Sequence, residues 1–298
     1  MSRLVLGTVQ LGMDYGVANQ HGQPSFEEAL SIVQTAWDGG VRQFDTAQGY
    51  GESEVVLGHA FRELSITDKV KVTSKLHPKH ASGDVNEVMA SVKDSLDRLG
   101  VTQLDCLMWH RESVLDGSPD DVVSKISALR EQGLAASFGV SVYSPAAATK
   151  ALKSDWCNVV QIPGNILDRR FENAGVFDLA LQQGKTLCLR SIFLQGLLLM
   201  ALHKAVEKVP PAEKALRMAS EIANQAGVSL LTLCIAYVRE AYPNVRILFG
   251  AEAANQVEEV LMSWQTPLRD GLHQRIINEF SSVDERIVNP VMWKEFEA

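Results

Sequence analysis

The stretch Val41-Arg42-Gln43-Phe44-Asp45-Thr46-Ala47-Gln48-Gly49-Tyr50-Gly51-Glu52-Ser53-Glu54 holds one β-loop-α unit of the chain. Val41 to Asp45 reads as a short strand, a Gly-rich turn follows, and a helix runs across Glu54 to Leu64. The same unit repeats on either side. Upstream, Leu4 to Val9 reads as a strand, and Ser25-Phe26-Glu27-Glu28 is a capping-box pattern that announces a helix. That helix carries Phe26, Leu30, Val33 and Trp37 on one face at 3.6 spacing and stops at Gly39-Gly40. Downstream, Lys71 to Lys75 reads as a strand. The helix after it places Val85, Val88, Met89, Val92, Leu96 and Leu99 on one face and closes at Gly100.

The alternation continues to the end of the chain. Leu104 to His110, Ala136 to Val142, Asn158 to Ile162, Thr186 to Ser191 and Val245 to Gly250 read as further strands. Helices are expected across Asp120 to Gln132, Ser144 to Leu152, Asn173 to Gln183, Glu213 to Ala226 and Ser229 to Ala241. Strands that alternate with helices, without hairpin turns between them, must pair in parallel. Apolar residues on both faces of most strands suit a sheet covered by helices. The count fits an α/β fold of the closed (β/α)8 type, a TIM barrel; an open, doubly wound sheet is the rival. No linker or low-complexity segment divides the chain, so one domain over residues 1–298 is expected.

Composition narrows the function classes. The chain has 298 residues, 46% of them hydrophobic and 21% charged, an ordinary globular balance. A net charge of -8 argues against nucleic acid as a partner. No apolar run approaches the ~18 residues that span a bilayer, and Met1-Ser2-Arg3-Leu4-Val5-Leu6-Gly7 is too short an apolar start for a signal peptide. Cys106, Cys157, Cys188 and Cys234 show no C-x-x-C pair, which favours free thiols in a reducing cytoplasm.

In a barrel of this kind the active site lies at the C-terminal ends of the strands. Asp45 ends the second strand, Tyr50 sits in the turn after it, Lys75 ends the third strand and His110 ends the fourth. Each has an ordinary structural explanation alone: a helix cap, turn packing, a solvated lysine, a satisfied histidine. Together, three successive strands deliver them to one rim. A phenol with an ordinary pKa of about 10 is a poor proton donor at neutral pH, and a nearby ammonium should lower that value. Asp45 can hold the ammonium, and a neutral imidazole can orient a carbonyl oxygen. This is equipment for protonating a carbonyl as hydride reaches its carbon, and the hydride must come from a cofactor.

At these residues the chain resembles the aldo-keto reductase superfamily. The resemblance is carried by Leu6-Gly7-Thr8, by Asp45-Thr46-Ala47-x-x-Tyr50-Gly51-x-Ser53-Glu54, by Ser74-Lys75, by Leu104-Asp105 leading to His110, and by Gly139-Val140-Ser141. Gln161, Ile192 to Leu198, and Gly250-Ala251 extend it over nearly the whole chain. It implies reduction of a small-molecule aldehyde or ketone with NADP(H) or NAD(H), without metal. Tyr50 would be the general acid, tuned by Lys75 and Asp45, with His110 orienting substrate. The resemblance further implies that Thr8, Ser141 and Gln161 meet the nicotinamide side of the cofactor. Ser191, Gln195, Gly196 and Leu197 would line the seventh-strand loop along the pyrophosphate, and Arg190 would lie against the nicotinamide. Gly250, Ala251, Glu252, Gln256 and Glu259 would surround the adenosine end.

Three positions depart from the family pattern. Val142 stands where an Asn is usual, and Arg190 where an aromatic ring usually stacks on the nicotinamide. Gly250, Glu252 and Gln256 stand where cations usually grip the 2′-phosphate of NADP, which points to use of NAD(H). Departures of this kind keep a second reading open, a cofactor-binding regulatory or sensor protein with little turnover. A metal enzyme built on His77-Pro78-Lys79-His80 lacks carboxylates at ligand spacing. Tyr15, His77, Trp109 and Trp293 are candidate lining residues of the substrate pocket, with a core role the simpler reading for Trp109.

Overall fold

The computed structural model describes residues 3–20 and 22–296. Met1, Ser2, His21, Glu297 and Ala298, including both ends of the expected 1–298 domain, lie outside the described residues. Eight parallel strands close into a barrel in chain order. They are β1 (Leu4–Gly7), β2 (Gln43–Asp45), β3 (Lys71–Leu76), β4 (Cys106–Trp109), β5 (Phe138–Ser141), β6 (Val159–Pro163), β7 (Thr186–Arg190) and β8 (Arg246–Gly250). The closing pair is β1 with β8, in register Gly7 to Gly250, while Gly7 also faces Asp45 on its other side. The expected (β/α)8 barrel is therefore the fold, and the open sheet is excluded.

Side-chain alternation explains why the strands read as apolar on both faces. Along β4, Leu107 and Trp109 join the large core, whereas Cys106 and Met108 form a separate cluster with Val159. One face packs against the surrounding helices and the other fills the barrel interior. The helices carry their own start and stop signals. Ser25 and Asp84 each close a reciprocal capping box, on Glu28 and Glu87. Gly100, in the left-handed region at φ 72°, ends the helix Val85–Leu99.

Several expected boundaries shift. Val9 belongs to a one-turn helix, Val9–Gly12, so β1 is shorter than the apolar run. Leu104 makes only an isolated bridge to Ala135, so β4 starts at Cys106. The helix expected across Asn173 to Gln183 is broken into Arg170–Asn173 and Val176–Gln182, because Gly175 adopts φ 69° between them. Among the described residues no single helix is long and apolar enough to cross a membrane. All four cysteines are free and buried.

Candidate functional site

Tyr50 is held by close backbone contacts that the short motif makes possible. A Cβ on Gly12 would fall 2.0 Å from the Tyr50 carbonyl oxygen, and one on Gly51 (φ 53°) would fall 2.2 Å from the Gly12 oxygen. Both positions therefore need glycine. Ser53 ties the turn to the barrel: its hydroxyl donates to the Thr8 carbonyl at 2.8 Å and accepts from Thr46 Oγ1 at 2.9 Å. Thr8 Oγ1 in turn donates to the Asp45 carbonyl at 2.9 Å. Buried Glu54 accepts from Ser74 Oγ at 2.5 Å and Arg98 Nε at 2.8 Å. The Ser53-Glu54 part of the motif is thus framework that locks β3 and a helix to the Tyr50 turn.

The charged pair lies beneath this turn. Lys75 is 0% exposed and Asp45 2%. Lys75 Nζ donates to Asp45 Oδ1 and, at 2.9 Å, to the Thr46 carbonyl. Gln161 Nε2 donates to Asp45 Oδ2 at 2.8 Å, and Ser141 Oγ donates to Gln161 Oε1 at 3.3 Å. Buried charges persist only when paired and hydrogen-bonded, and both conditions hold here. Burial pulls the Lys75 pKa down, but Asp45, followed by Tyr50, more than reverses this, so the group stays an ammonium.

Tyr50 sits with its ring 5.0 Å from Lys75 Nζ and edge-on to His110 at 5.4 Å between centroids. Burial pushes the phenol pKa up, and the opposing pull of Lys75 does not cancel it. The expected net lowering is therefore corrected. Burial outweighs the pull of the ammonium, and the charge of Asp45 raises the Tyr50 value further. Burial, reinforced by Lys75 and Arg190, pushes His110 down to about 3, so its imidazole is neutral. One ring nitrogen then donates and the other accepts.

Tyr50 and Asp45 open onto a cavity of ≈ 780 Å³, within the range of roughly 300–1,000 Å³ usual for ligand pockets. Of the expected cofactor residues, Thr8, Gln161, Arg190, Ser191, Gln195 and Gly196 are on its wall. So are Gly250, Ala251, Glu252, Gln256 and Glu259. Ser141 and Leu197 are buried off the wall: Ser141 hydrogen-bonds Gln161, and Leu197 packs into the core. Tyr15 lines the cavity, but Trp109 and Trp293 do not. Trp109 packs edge-on against Trp156, and Trp293 Nε1 donates to the Ile287 carbonyl. His77 Nδ1 accepts from Lys79 N and caps the helix Pro78–Ala81. Among the described residues no group of His, Cys, Asp or Glu is arranged to hold a metal ion.

Two wall residues escaped the sequence reading. Gln10 lies against Gly250, and its Oε1 is buried without a hydrogen-bond donor. Lys204, from the helix Leu202–Lys208, is the lining cation besides Arg190 among the described residues. Neither belongs to a local pattern. The donor set suits a dinucleotide: an orphaned acceptor at Gln10, cations at Arg190 and Lys204, and the first turn of the helix Ala254–Gln265, which no side chain caps.

A closed parallel barrel with this rim is the architecture of a (β/α)8 oxidoreductase. The family model described as "Aldo/keto reductase family" matches residues 3–278, and the chain belongs to that family. L-glyceraldehyde 3-phosphate reductase of Escherichia coli (strain K12) is 25% identical over 297 residues, covering 87% of this chain and 84% of the relative. NADH-specific methylglyoxal reductase of Escherichia coli (strain K12) is 24% identical over 309 residues, covering 91% and 92%. Among solved structures, the glycerol dehydrogenase AKR11B4 from Gluconobacter oxydans has a TM-score of 0.76 at 22% identity, covering 97% of this chain and 94% of its own. The thermostable aldo-keto reductase Tm1743 has a TM-score of 0.73 at 23% identity, covering 93% and 95%. The family and the barrel expected from the sequence are both borne out. Family membership also brings the cofactor class, a nicotinamide dinucleotide.

Proposed function

We propose that this chain reduces the carbonyl of a small aldehyde or ketone to an alcohol, with Tyr50 as general acid and NADH or NADPH as hydride donor. The observation that carries the reading is Tyr50 and Asp45 on the wall of a cavity of ≈ 780 Å³, with neutral His110 packed edge-on to Tyr50 and Lys75 paired with Asp45 just off that wall. Nicotinamide, when bound, supplies the hydride that no side chain can. Gln161, Arg190 and Ser191 would hold its nicotinamide side, and Gly250, Gln256 and Glu259 its adenosine side.

The side chains do the rest. Tyr50, protonated at neutral pH because burial raises its pKa, binds the carbonyl oxygen and gives it a proton. The phenolate left behind is stabilised by the Lys75 ammonium, which Asp45 keeps charged and in place. Neutral His110 donates a hydrogen bond to the same oxygen and brings no second cation to compete for it. The four free, buried thiols suit a reducing, cytoplasmic compartment.

Cofactor preference follows from the loop after β8. Glu252 and Gln256 stand on the wall, and the Glu252 N–H donates to Gln256 Oε1 at 2.8 Å. A carboxylate there opposes a 2′-phosphate and accepts from a 2′-hydroxyl, which favours NADH. One similar protein is named as an NADH-specific reductase.

The test is oxidation of NADH or NADPH by purified protein with an activated aldehyde and a chelator present. Turnover supports the reading. Tight cofactor binding without turnover of any carbonyl in a broad panel would instead favour a sensor protein, a reading that draws on the Arg190 cation at the chemical end of the cavity.

A further inference from the structure

Among the described residues, Arg190 is a cation in no ion pair. It ends β7 and lines the cavity together with Tyr15 and Tyr50. Its guanidinium donates to the Val142 carbonyl and to Ser191 Oγ, each at 3.3 Å, and stacks 4.4 Å from the Tyr143 ring centre. The Tyr143 platform is itself held, since its N–H donates to Glu112 Oε2 at 2.6 Å. Three other buried or half-buried cations have carboxylate partners: Lys75 has Asp45, Arg169 has Glu172, and Arg170 has Asp168. Among the described residues no carboxylate lies within ion-pair distance of Arg190, and the acid nearest through shared partners, Glu112, is engaged by the backbone of Tyr143 and Ser144.

The field of this cation reaches the reacting centre. Its charge acts on Tyr15, Tyr50 and His110. Lys75 acts on Tyr50 and His110 as well, but it is ion-paired with Asp45. Arg190 therefore adds a positive charge, without an ion-pair partner among the described residues, at the end of the cavity where Tyr50 lies. Hydride can pass to a carbonyl held by Tyr50 only from a ring in contact with that carbonyl, so the nicotinamide must enter this field. The reduced ring is neutral and the oxidised ring is a cation, whereas the phosphate charges are the same in both forms.

We propose that Arg190 makes this site discriminate between the redox states of its cofactor, binding reduced nicotinamide more tightly than oxidised and so biasing the protein toward carbonyl reduction. The proposal rests on the carbonyl-reductase reading. Two like charges several ångströms apart in a partly screened protein site repel by enough to change affinity on the order of tenfold. Stacking and hydrogen bonding are shared by the two forms and cancel in the ratio of their dissociation constants. The charge on the ring does not cancel.

The experiment measures dissociation constants for NADH, NAD⁺, NADPH and NADP⁺ by titration calorimetry on the whole chain, as wild type, Arg190→Met, Arg190→Gln and Arg190→Lys. Arg190→Gln keeps a donor for the Val142 carbonyl without the charge, and guards against poor folding of the Met variant. The oxidised-to-reduced ratio should fall about tenfold in the neutral variants, mainly through tighter binding of the oxidised form, and should stay high in Arg190→Lys. A ratio within twofold of wild type in Arg190→Gln, with the reduced form still bound, overturns the proposal and leaves the reductase reading standing. Failure of wild type to bind any of the four forms overturns both.

Discussion

Gln161 Nε2 donates to Asp45 Oδ2 at 2.8 Å, joining β6 to β2 across 116 residues of sequence. Lys75 takes the other carboxylate oxygen, so both oxygens of Asp45 are engaged. Gln161→Leu removes the donor and leaves one buried carboxylate oxygen unpaired. We expect a loss of about 1–3 kcal/mol in urea unfolding, the usual cost of an unsatisfied buried group. A change below about 0.5 kcal/mol, the range of neutral surface substitutions, would mean the bond carries no weight.

Tyr50→Phe removes the proposed acid at nearly constant shape. The edge contact with His110 survives, and so does the wall of the cavity. Reduction of a generic aldehyde should slow by about 10²- to 10⁴-fold in kcat, with cofactor affinity nearly unchanged. A loss smaller than roughly tenfold, well below that range, assigns the proton to another group.

Cofactor preference is tested at Glu252 and Lys204. NADH should bind at least as well as NADPH, and Glu252→Arg should shift the balance toward NADPH by about tenfold, the worth of one charge-assisted contact. Lys204→Ala identifies the phosphate its cation serves: equal weakening of both cofactors marks the pyrophosphate, and weakening of NADPH alone marks the 2′-phosphate. A wild-type preference for NADPH above about tenfold contradicts the role given to Glu252.

His110 gives the protein a definite pH response. Its folded pKa is depressed to about 3 from an ordinary 6.5. Between those values the unfolded chain takes a proton that the folded chain refuses, so stability falls as pH falls through the unfolded value. The slope from this one group is at most about 1.4 kcal/mol per pH unit, and the loss levels off below the folded pKa. Urea midpoints followed from neutral pH down to about pH 4.5 should drop further in wild type than in His110→Gln. On the alkaline side, reduction should persist until pH passes the ordinary phenol value of 10.0, because the Tyr50 pKa is raised. A basic limb near neutrality would show that a different acid is at work.

The barrel was legible because each strand and helix carries its own local signals: a capping box at Ser25, a left-handed Gly100, apolar stripes at helical spacing. The proposed catalytic rim was legible because Asp45, Lys75 and His110 sit at or next to strand ends and Tyr50 in the turn after β2, where the barrel brings them together. What stayed hidden depends on long-range placement. The Gln161–Asp45 bond crosses the barrel, and Lys204 reaches the cavity from a helix with no motif of its own. The direction of the Tyr50 shift was misjudged for the same reason. Sequence spacing identifies a neighbouring ammonium, but only the fold reveals how deeply the phenol is buried and that Asp45 is paired with that ammonium.

The loops after β1 and β7 touch where both border the cavity. A Cβ on Gly196 (φ 90°) would lie 2.5 Å from the Ala18 Cβ, and one on Gly16 would lie 3.4 Å from the Gln195 carbonyl oxygen. Ser191, Leu194 and Gln195 also sit at positive φ, so the seventh loop holds a backbone shape that most side chains avoid. A side chain at Gly196 would force these two loops apart at the cavity's edge, so the shape of that wall depends on a single missing Cβ.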